Sequence, residues 1–140
     1  MTDADAPFHA QGLFTGLTQE ESEEILAAGI PLSFPAEEAV FRSGDHGDAM
    51  YVITHGEVKV EVGGRFHVLR PGDFFGEMAL LAPGPRMATV VATGDVETVR
   101  IPAEAFQRFL LDNPAVAVAM MKQLVIRLRE VEQRIDAWMA

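Results

Sequence analysis

Residues 74–90 combine side chains and backbone features that could together hold a small anionic ligand. Gly76 permits a tight turn and leaves space beside the backbone for a ligand. Residues 77–81 are good helix formers, so we expect a one-turn helix to begin just after this glycine. The first N–H groups of that helix, near Met78 and Ala79, would have no partner within it and could hold an anion.

Two charged residues in this stretch have complementary chemistry. Arg86 precedes an uncharged run, residues 87–92, so we expect it to be partly buried and to need an acidic partner. Its planar guanidinium suits a phosphate, which it can bind through two parallel hydrogen bonds. Glu77 only accepts hydrogen bonds when ionised, and it therefore suits a hydroxyl pair such as a sugar diol. A phosphate clamp, a helix N-terminus and a sugar acceptor together describe a small nucleotide that carries one charge.

The elements that must position these residues begin with a short helix. Thr18 followed by Glu21 forms a capping-box pattern, which predicts a helix through Ile25 and Leu26 that ends at Gly29. From residue 30 to residue 101, short apolar or alternating runs are separated by glycine and proline. This texture predicts about seven or eight strands in an all-β sandwich or barrel.

Particular runs define the strands and the helices that follow them. We expect strands at 50–54 and 57–62, joined by a turn at His55-Gly56, and at 65–70 after two glycines. Residues 89–92 and 96–101, separated by Gly94-Asp95, are expected to form another hairpin. The sequence predicts a short helix over residues 103–111. Asn113 and Pro114 suit the cap and first position of a last helix about 26 residues long.

Length, charge and the absence of cysteine narrow the classes of function. The chain has 140 residues, which fits one domain, and its net charge of −10 disfavours binding of nucleic acid by this chain alone. Without cysteine there are no disulfides, thiolate metal sites or cysteine nucleophiles. The acidic N-terminus is unlike a signal peptide. Residues 25–36, the longest run without charge or histidine, are too few to span a bilayer. We therefore expect a soluble, cytoplasmic protein that does not contact a membrane.

The last helix carries an apolar stripe at alternating spacings of four and three residues. Such a stripe is typical of a coiled-coil seam and predicts a parallel homodimer, in which Arg127 and Glu132 take the g and e positions that pair across the interface. The alternative is a helix packed on its own barrel, since Val118, Met120 and Val125 widen the apolar face early in the helix. The apolar stripe consists of Ala117, Met121, Leu124, Leu128, Val131, Ile135 and Trp138.

The motifs of this chain resemble those of the cyclic nucleotide-binding domain family, which includes catabolite activators, regulatory subunits of cAMP-dependent kinase and cyclic-nucleotide-gated channels. The family's phosphate-binding cassette reads Phe-Gly-Glu-x-Ala-Leu, a loop, then Pro-Arg-x-Ala-Thr-Val. Residues 44–58 resemble its strand–turn–strand signature, and Pro71-Gly72-Asp73 resembles the lead-in to the cassette. The cassette matches are Phe75-Gly76-Glu77, Ala79-Leu80, Pro85-Arg86 and Ala88-Thr89-Val90.

The resemblance runs from about Leu13 to the C-terminus and implies both a fold and a ligand. The implied fold is mainly β with flanking helices. It is one domain over residues 1–140, with an N-terminal helical segment at 13–29, a jelly-roll type β-roll at 30–101 with the cassette at 74–90, and C-terminal helices at 102–140. It implies that Glu77 binds the ribose 2′-hydroxyl and Arg86 the cyclic phosphate. The expected ligand-binding residues are Gly76, Glu77, Met78, Ala79, Arg86, Met87 and Ala88.

The resemblance also bears on specificity and output. Sensors that prefer cGMP often carry a hydroxyl residue directly after the arginine, where this chain has Met87, so we expect a preference for cAMP. Catabolite activators dimerise through the last helix and use its hydroxyl residues to reach the base. Val131 and Glu132 stand there instead, which puts those contacts in doubt. Trp138 is expected at the dimer interface, with a lid over the base as the alternative. The sequence thus predicts a non-enzymatic sensor that acts through its last helix on a downstream partner protein, with no cofactor or metal.

Four other interpretations are weaker. A cupin-type metal site would need two histidines spaced by one residue, and His9, His46, His55 and His67 lack that spacing. None of the serines, Ser22, Ser33 and Ser43, lies in a nucleophile elbow. A scaffold protein with a vestigial pocket is a third possibility. The fourth is the sensor half of a transcription factor without its DNA-binding domain.

Overall fold

The structure is a computed structural model that describes residues 12–139, apart from the side chains of Leu13, Trp138 and Met139. Within this range the chain forms ten strands, four α-helices and a 3-10 turn at Gly12–Phe14. The strands are β1 (Ile30–Phe34), β2 (Ala39–Phe41), β3 (His46–Gly47), β4 (Ala49–His55), β5 (Val58–Val62), β6 (Arg65–Leu69), β7 (Phe74–Phe75), β8 (Gly84–Pro85), β9 (Thr89–Ala92) and β10 (Val96–Pro102). The helices are α1 (Gln19–Ala27), α2 (Met78–Leu81), α3 (Ala103–Asp112) and α4 (Pro114–Met139).

All strand pairings are antiparallel, and they form two four-stranded sheets and a small pair. The first sheet has the order β1-β10-β4-β7, the second β2-β9-β5-β6, and β3 pairs with β8. This arrangement, with a short helix before it and a long one after it, confirms the predicted mainly-β fold with flanking helices. The capping box at Thr18 and the 26-residue length of α4 also agree with the sequence.

Two of the predicted turns join strands of different sheets. The expected hairpin of residues 89–92 and 96–101 is wrong, because β9 pairs with β2 and β5 whereas β10 pairs with β1 and β4. Similarly, the turn at His55-Gly56 does not pair β4 with β5. Gly56 instead lies where the chain passes from the first sheet to the second, close to Asp95. A Cβ on Gly56 would collide with the carbonyl oxygen of Asp95. A glycine-rich turn therefore marks a change of direction without specifying the pairing partner.

Two hydrophobic clusters lie on opposite faces of the first sheet. One cluster, which includes Met50, Val52 and Phe74, packs against the helices through Phe106 and Val116. The other lies between the two sheets and includes Tyr51, Ile53 and Phe75. Because successive residues of a strand face opposite sides, β4 and β7 contribute to both clusters.

The N-terminal helix ends differently from the expected glycine cap. Helix α1 ends at Ala27 with Ala28 in a right-handed conformation, and Gly29 does not adopt the left-handed one. A Cβ on Gly29 would instead collide with the side chain of Val99. This glycine therefore allows the chain to pass close to β10.

No single helix among residues 12–139 is long and apolar enough to cross a membrane. Helices α3 and α4 reach that length and apolarity only as a pair bent by 113°.

Candidate functional site

A cavity of about 390 Å³ opens beside residues 74–90. All seven ligand-binding residues expected from the sequence contribute to its wall, together with Phe41 and residues 82–85. The wall also contains exposed methionine side chains, because Met78 and Met87 are 68% and 75% exposed. The cavity is thus mainly apolar, with one carboxylate and one guanidinium among its lining side chains.

The segment around Gly76 begins the cavity wall. Gly76 adopts a left-handed conformation with φ +79°, which glycine tolerates without a steric penalty. Helix α2 follows directly and inserts Leu80 into the cluster beneath α3. The expected free N–H at Ala79 is not observed, since it donates to the carbonyl of Gly76 at 3.2 Å. This 3-10-type hydrogen bond uses the Ala79 N–H, which the sequence predicts to be free to bind an anion.

The main chain of Arg86 is held by the loop that precedes β3. Its N–H donates to the carbonyl of Asp45 at 2.7 Å, and its own carbonyl accepts from Gly44 at 2.9 Å. The guanidinium is buried, with Nη2 donating to the carbonyl of Ala49 at 2.8 Å and Nη1 to that of Gly76 at 3.3 Å. Arg86 therefore connects β4, the cassette and the loop of residues 42–47.

The acidic partner expected for Arg86 is not found among the described residues. No described carboxylate forms an ion pair with it: Asp48 pairs instead with Arg100 at 3.0 Å, and the Asp45 carboxylate accepts from the N–H of Arg42. The buried Nε–H has no hydrogen-bond partner among the described residues. Burial lowers the pKa of Arg86, while Tyr51, Asp48 and Asp45 oppose the shift and Arg100 adds to it. An arginine remains ionised despite such a shift, so the cavity wall carries a buried positive charge.

Two residues that the sequence analysis missed surround the guanidinium. The Cζ atom of Arg86 lies 4.1 Å from the centroid of the Phe41 ring. A Cβ on Gly47 would collide with Nε, Cζ and Cδ of Arg86. Gly47 lies within residues 44–58, which resemble the strand–turn–strand signature, but nothing in the sequence connects Phe41 to an arginine 45 positions away.

Glu77 stands at the cap position of α2, and its side chain caps no N–H group of the helix. The carboxylate forms no ion pair or hydrogen bond with the described residues, and it is partly exposed at the cavity. It is therefore free to accept hydrogen bonds from a bound molecule.

The comparison with known proteins identifies the family of this chain. The family model of the cyclic nucleotide-binding domain matches residues 31–113, which include all of both sheets except Ile30, and the whole cavity wall. The chain belongs to the cyclic nucleotide-binding domain family.

Relatives of this cyclic nucleotide-binding domain include regulators and kinases. A cyclic AMP receptor protein of Thermus thermophilus is 34% identical over 130 residues, which is 89% of this chain and 60% of that protein. A cGMP-dependent protein kinase of Toxoplasma gondii is 38% identical over 98 residues, 69% of this chain and 10% of the kinase. The chain spans 58% to 60% of the length of the bacterial cAMP-responsive regulators that it matches.

A solved structure agrees with the fold over nearly the whole domain. The N-terminal domain of a transcriptional regulator from Streptomyces coelicolor superposes with a TM-score of 0.81 at 32% identity, covering 93% of this chain and 94% of that one. The matched part of the chain therefore includes its helices as well as its β-roll.

One face of helix α4, which we call the attached face, packs against the rest of the domain, and the other face is exposed. Val116 and Met120 are buried against the helical cluster, and Gln123 and Arg127 continue this face half-buried. The apolar stripe lies one residue further round, and its members from Met121 to Ile135 are 40–57% exposed. The alternative of a helix packed on its own barrel therefore holds at Met120, which is buried, and not at Val118, Val125 or the exposed stripe. The side chain of Trp138 lies outside the described residues.

Arg127 contacts the beginning of the described chain. Its guanidinium lies against Gly12, where a Cβ would collide with Nη2. The positive φ of Gly12 and its missing side chain make this close approach possible. Arg127 thus ends the attached face of α4.

None of the described histidine or serine residues belongs to the cavity wall. Among the described side chains, no three histidine, aspartate or glutamate residues could hold a metal ion together. His55 pairs with Glu97 at 2.7 Å between two exposed side chains, and Ser22 is buried in α1. His9 lies outside the described residues.

Proposed function

We propose that this chain is a non-enzymatic sensor whose cavity binds a cyclic nucleotide. The observation that carries the proposal is the buried guanidinium of Arg86 in the cavity wall, which has neither a carboxylate partner nor an acceptor for its Nε–H among the described residues. A buried cation without a counterion is unfavourable, so an anionic ligand would be strongly favoured beside it. The cyclic phosphate has one negative charge and oxygens that match the guanidinium.

The other groups in the cavity suit the remaining parts of such a ligand. The free Glu77 carboxylate can accept hydrogen bonds from the ribose 2′-hydroxyl. The exposed side chains of Met78 and Met87 can pack against a base, since methionine adapts its shape to apolar partners. A volume of about 390 Å³ is within the usual range for small-molecule sites.

We propose cAMP as the preferred nucleotide. Met87 offers no hydroxyl group that could pair with the amino group of guanine. Relatives named for both nucleotides are similar to this chain, so the residue beside the arginine is the more specific guide.

The experiment that tests this function is calorimetric titration of the chain with cAMP and with cGMP, accompanied by thermal unfolding with each nucleotide. Both nucleotides should bind with one site per chain, cAMP more tightly, and both should raise the melting temperature by mass action. If neither produced heat or a thermal shift, the pocket would be vestigial and the chain an interaction scaffold. Tighter binding of cGMP would contradict the preference alone.

We further propose that α4 forms a homodimer through the apolar stripe and transmits the ligand signal to a partner protein. Monomers rarely expose a contiguous row of large apolar side chains, and this row faces away from the domain that carries it. Sedimentation at tens of micromolar should detect a dimer. Hydrogen exchange of α4 should then differ with and without nucleotide, since a ligand acts only through its differential affinity for two states. A monomer under both conditions would contradict the dimer, and unchanged exchange would contradict the signal.

The chain spans only part of the length of the bacterial regulators that it matches, and this favours a role in transcription. We propose that it regulates transcription, as the sensor part of a larger regulator or together with a separate DNA-binding partner. The genomic reading frame and affinity capture with and without nucleotide would distinguish these arrangements. A nucleotide-independent set of partners without any DNA-binding protein would contradict both.

A further inference from the structure

The groups in direct contact with the Arg86 guanidinium are aromatic rings and carbonyl groups among the described residues, and the charged side chains of Asp45, Asp48 and Arg100 act on it without forming an ion pair. The Cζ atom of Arg86 lies 4.1 Å from the centroid of the Phe41 ring and 5.9 Å from that of Tyr51. The backbone of Gly47 fills a further side so closely that any side chain there would collide. Two carbonyl groups, from Ala49 and Gly76, accept from its terminal nitrogens.

The Phe41 ring is itself fixed from the opposite direction. Its centroid lies 5.7 Å from that of Phe75 and 6.0 Å from that of Tyr51, and those two rings stack at 5.3 Å with an interplanar angle of 10°. The ring therefore has little freedom to turn away from Arg86. Its position is set by the core between the sheets, while its edge contributes to the cavity wall.

The electrostatic consequence follows from the face of the ring. An aromatic face stabilises a cation without neutralising its charge, and the effect is largest where water is excluded. A carboxylate in the same place would compete with an incoming phosphate for the guanidinium. With an aromatic partner, the full charge remains available to a ligand.

We propose that Phe41 is a positioning residue of the ligand site, which holds the Arg86 guanidinium in place beside Gly47 and keeps the charge available for the anionic group of the ligand. The inference rests on the proposed binding of a cyclic nucleotide. Without the ring, Arg86 would populate other orientations, and the apparent affinity would fall with the fraction of competent molecules.

The test compares nucleotide affinity among three variants by calorimetry with cAMP. Phe41→Leu removes the aromatic face and should weaken binding about 5- to 30-fold, the range for a desolvated cation–aromatic contact. Phe41→Tyr retains the face and should bind within about 3-fold of the parent chain. Phe34→Leu is the matched control, because Phe34 also packs against Tyr51, at 6.3 Å, but does not line the cavity. It should bind like the parent chain.

A second measurement separates positioning from loss of packing. Trifluorophenylalanine in place of Phe41 keeps the shape of the ring but weakens its negative face, so it should weaken binding in the same direction as Phe41→Leu. The buried Nε–H of Arg86 should give a ring-shifted NMR signal, identified by its loss in Arg86→Lys. Phe41→Tyr should retain this signal, and Phe41→Leu should move it.

The outcomes distinguish this inference from the proposed function. If Arg86→Ala binds cAMP like the parent chain, the phosphate assignment is wrong whatever Phe41 does. If Arg86→Ala loses binding while Phe41→Leu and the trifluoro variant bind normally, the function stands and the role of Phe41 is wrong. Equal weakening in Phe41→Leu and Phe41→Tyr would also overturn it, since the aromatic face would then be irrelevant.

Discussion

The cavity beside the cassette and the distal half of α4 differ in how complete they are within one chain. Around Arg86, Phe41, Gly47 and two carbonyl groups of the same chain fix the guanidinium in place. Along α4, Leu128 and Ile135 are 57% and 50% exposed, and no described residue covers them. The guanidinium of the proposed ligand site is thus held within one chain, whereas the distal half of α4 presents a row of exposed apolar side chains.

This difference separates two properties that a sensor must combine. Binding of a small ligand should be a property of the single chain, because its site needs no second copy. Output should depend on the exposed half of the helix. The link between them is short, since Phe74 and Leu80 of the cassette pack in the same cluster as Phe106 of α3 and Val116 of α4.

The largest expected effect comes from substitutions of Arg86, which disrupt the ligand site alone. Arg86→Ala should weaken cyclic nucleotide binding about 30- to several-thousand-fold, because losing one partner of a buried charge pair costs about 2–5 kcal/mol. Arg86→Lys should not restore binding, since the planar fork is lost. Calorimetry measures the affinity, and the dimer in sedimentation serves as the control that the last helix is intact. Binding equal to that of the parent chain would remove the phosphate assignment.

The next largest effect is expected from substitutions that disrupt the apolar stripe of α4. Leu128→Glu combined with Ile135→Glu should weaken self-association about 100-fold or more, because pairing would bury unpaired carboxylates. Nucleotide affinity should remain within about 3-fold of the parent value if the site is complete in one chain. Leu111→Glu is the matched control, since Leu111 is 82% exposed at the end of α3 and lies outside the stripe. A loss of nucleotide binding in the stripe variant would show that the two regions are not separable.

A smaller effect tests the proposed hydrogen bond between Glu77 and the ribose 2′-hydroxyl. Glu77→Ala should cost about 1.5–3 kcal/mol, or roughly 10- to 150-fold in affinity, because a hydrogen bond to a charged group is lost. The same substitution should hardly alter binding of a 2′-deoxy cyclic nucleotide. Titration of both nucleotides against both proteins gives the comparison, with the deoxy ligand as internal control. An equal loss for the two ligands would assign Glu77 a structural role instead.

The smallest effect concerns the base. Met87→Thr introduces a hydroxyl at the cavity wall and should narrow the difference between cAMP and cGMP about 2- to 10-fold, the value of one hydrogen bond. Met87→Leu controls for the change in size. Competition titrations with the two nucleotides measure the ratio. A ratio unaffected by the hydroxyl would mean that other residues select the base.

Much of the cavity could be predicted from the sequence because its residues are close together in the chain. Gly76, Glu77 and Arg86 lie on one continuous segment, so their spacing alone indicates a shared site. Similarly, local patterns predicted the capping box at Thr18 and the extent of β9, which depend on neighbours within a few residues.

The strand pairing and the surroundings of Arg86, which the sequence did not predict, depend on residues that are distant in the chain. The partners of β9 and β10 are chosen by burial across the whole sheet and not by the turn between them. Likewise, Phe41, Gly47 and Ala49 reach Arg86 only once β2, β3 and β4 are in place, so no local spacing could reveal that an aromatic face replaces the expected carboxylate.

The contact of Arg127 with Gly12 has a further consequence for the helix beyond it. From Leu128 onwards α4 continues for about three turns without the face that attaches its first half. A helix of that length in isolation is marginal in water, because nucleation is costly and few hydrogen bonds follow it. Helix formation in these turns should therefore be coupled to association, so that ellipticity at 222 nm falls on dilution while the β-roll stays folded. The terminal turns would then act as a concentration-dependent coil-to-helix transition, with Arg127 as the boundary between the permanent helix and the conditional one.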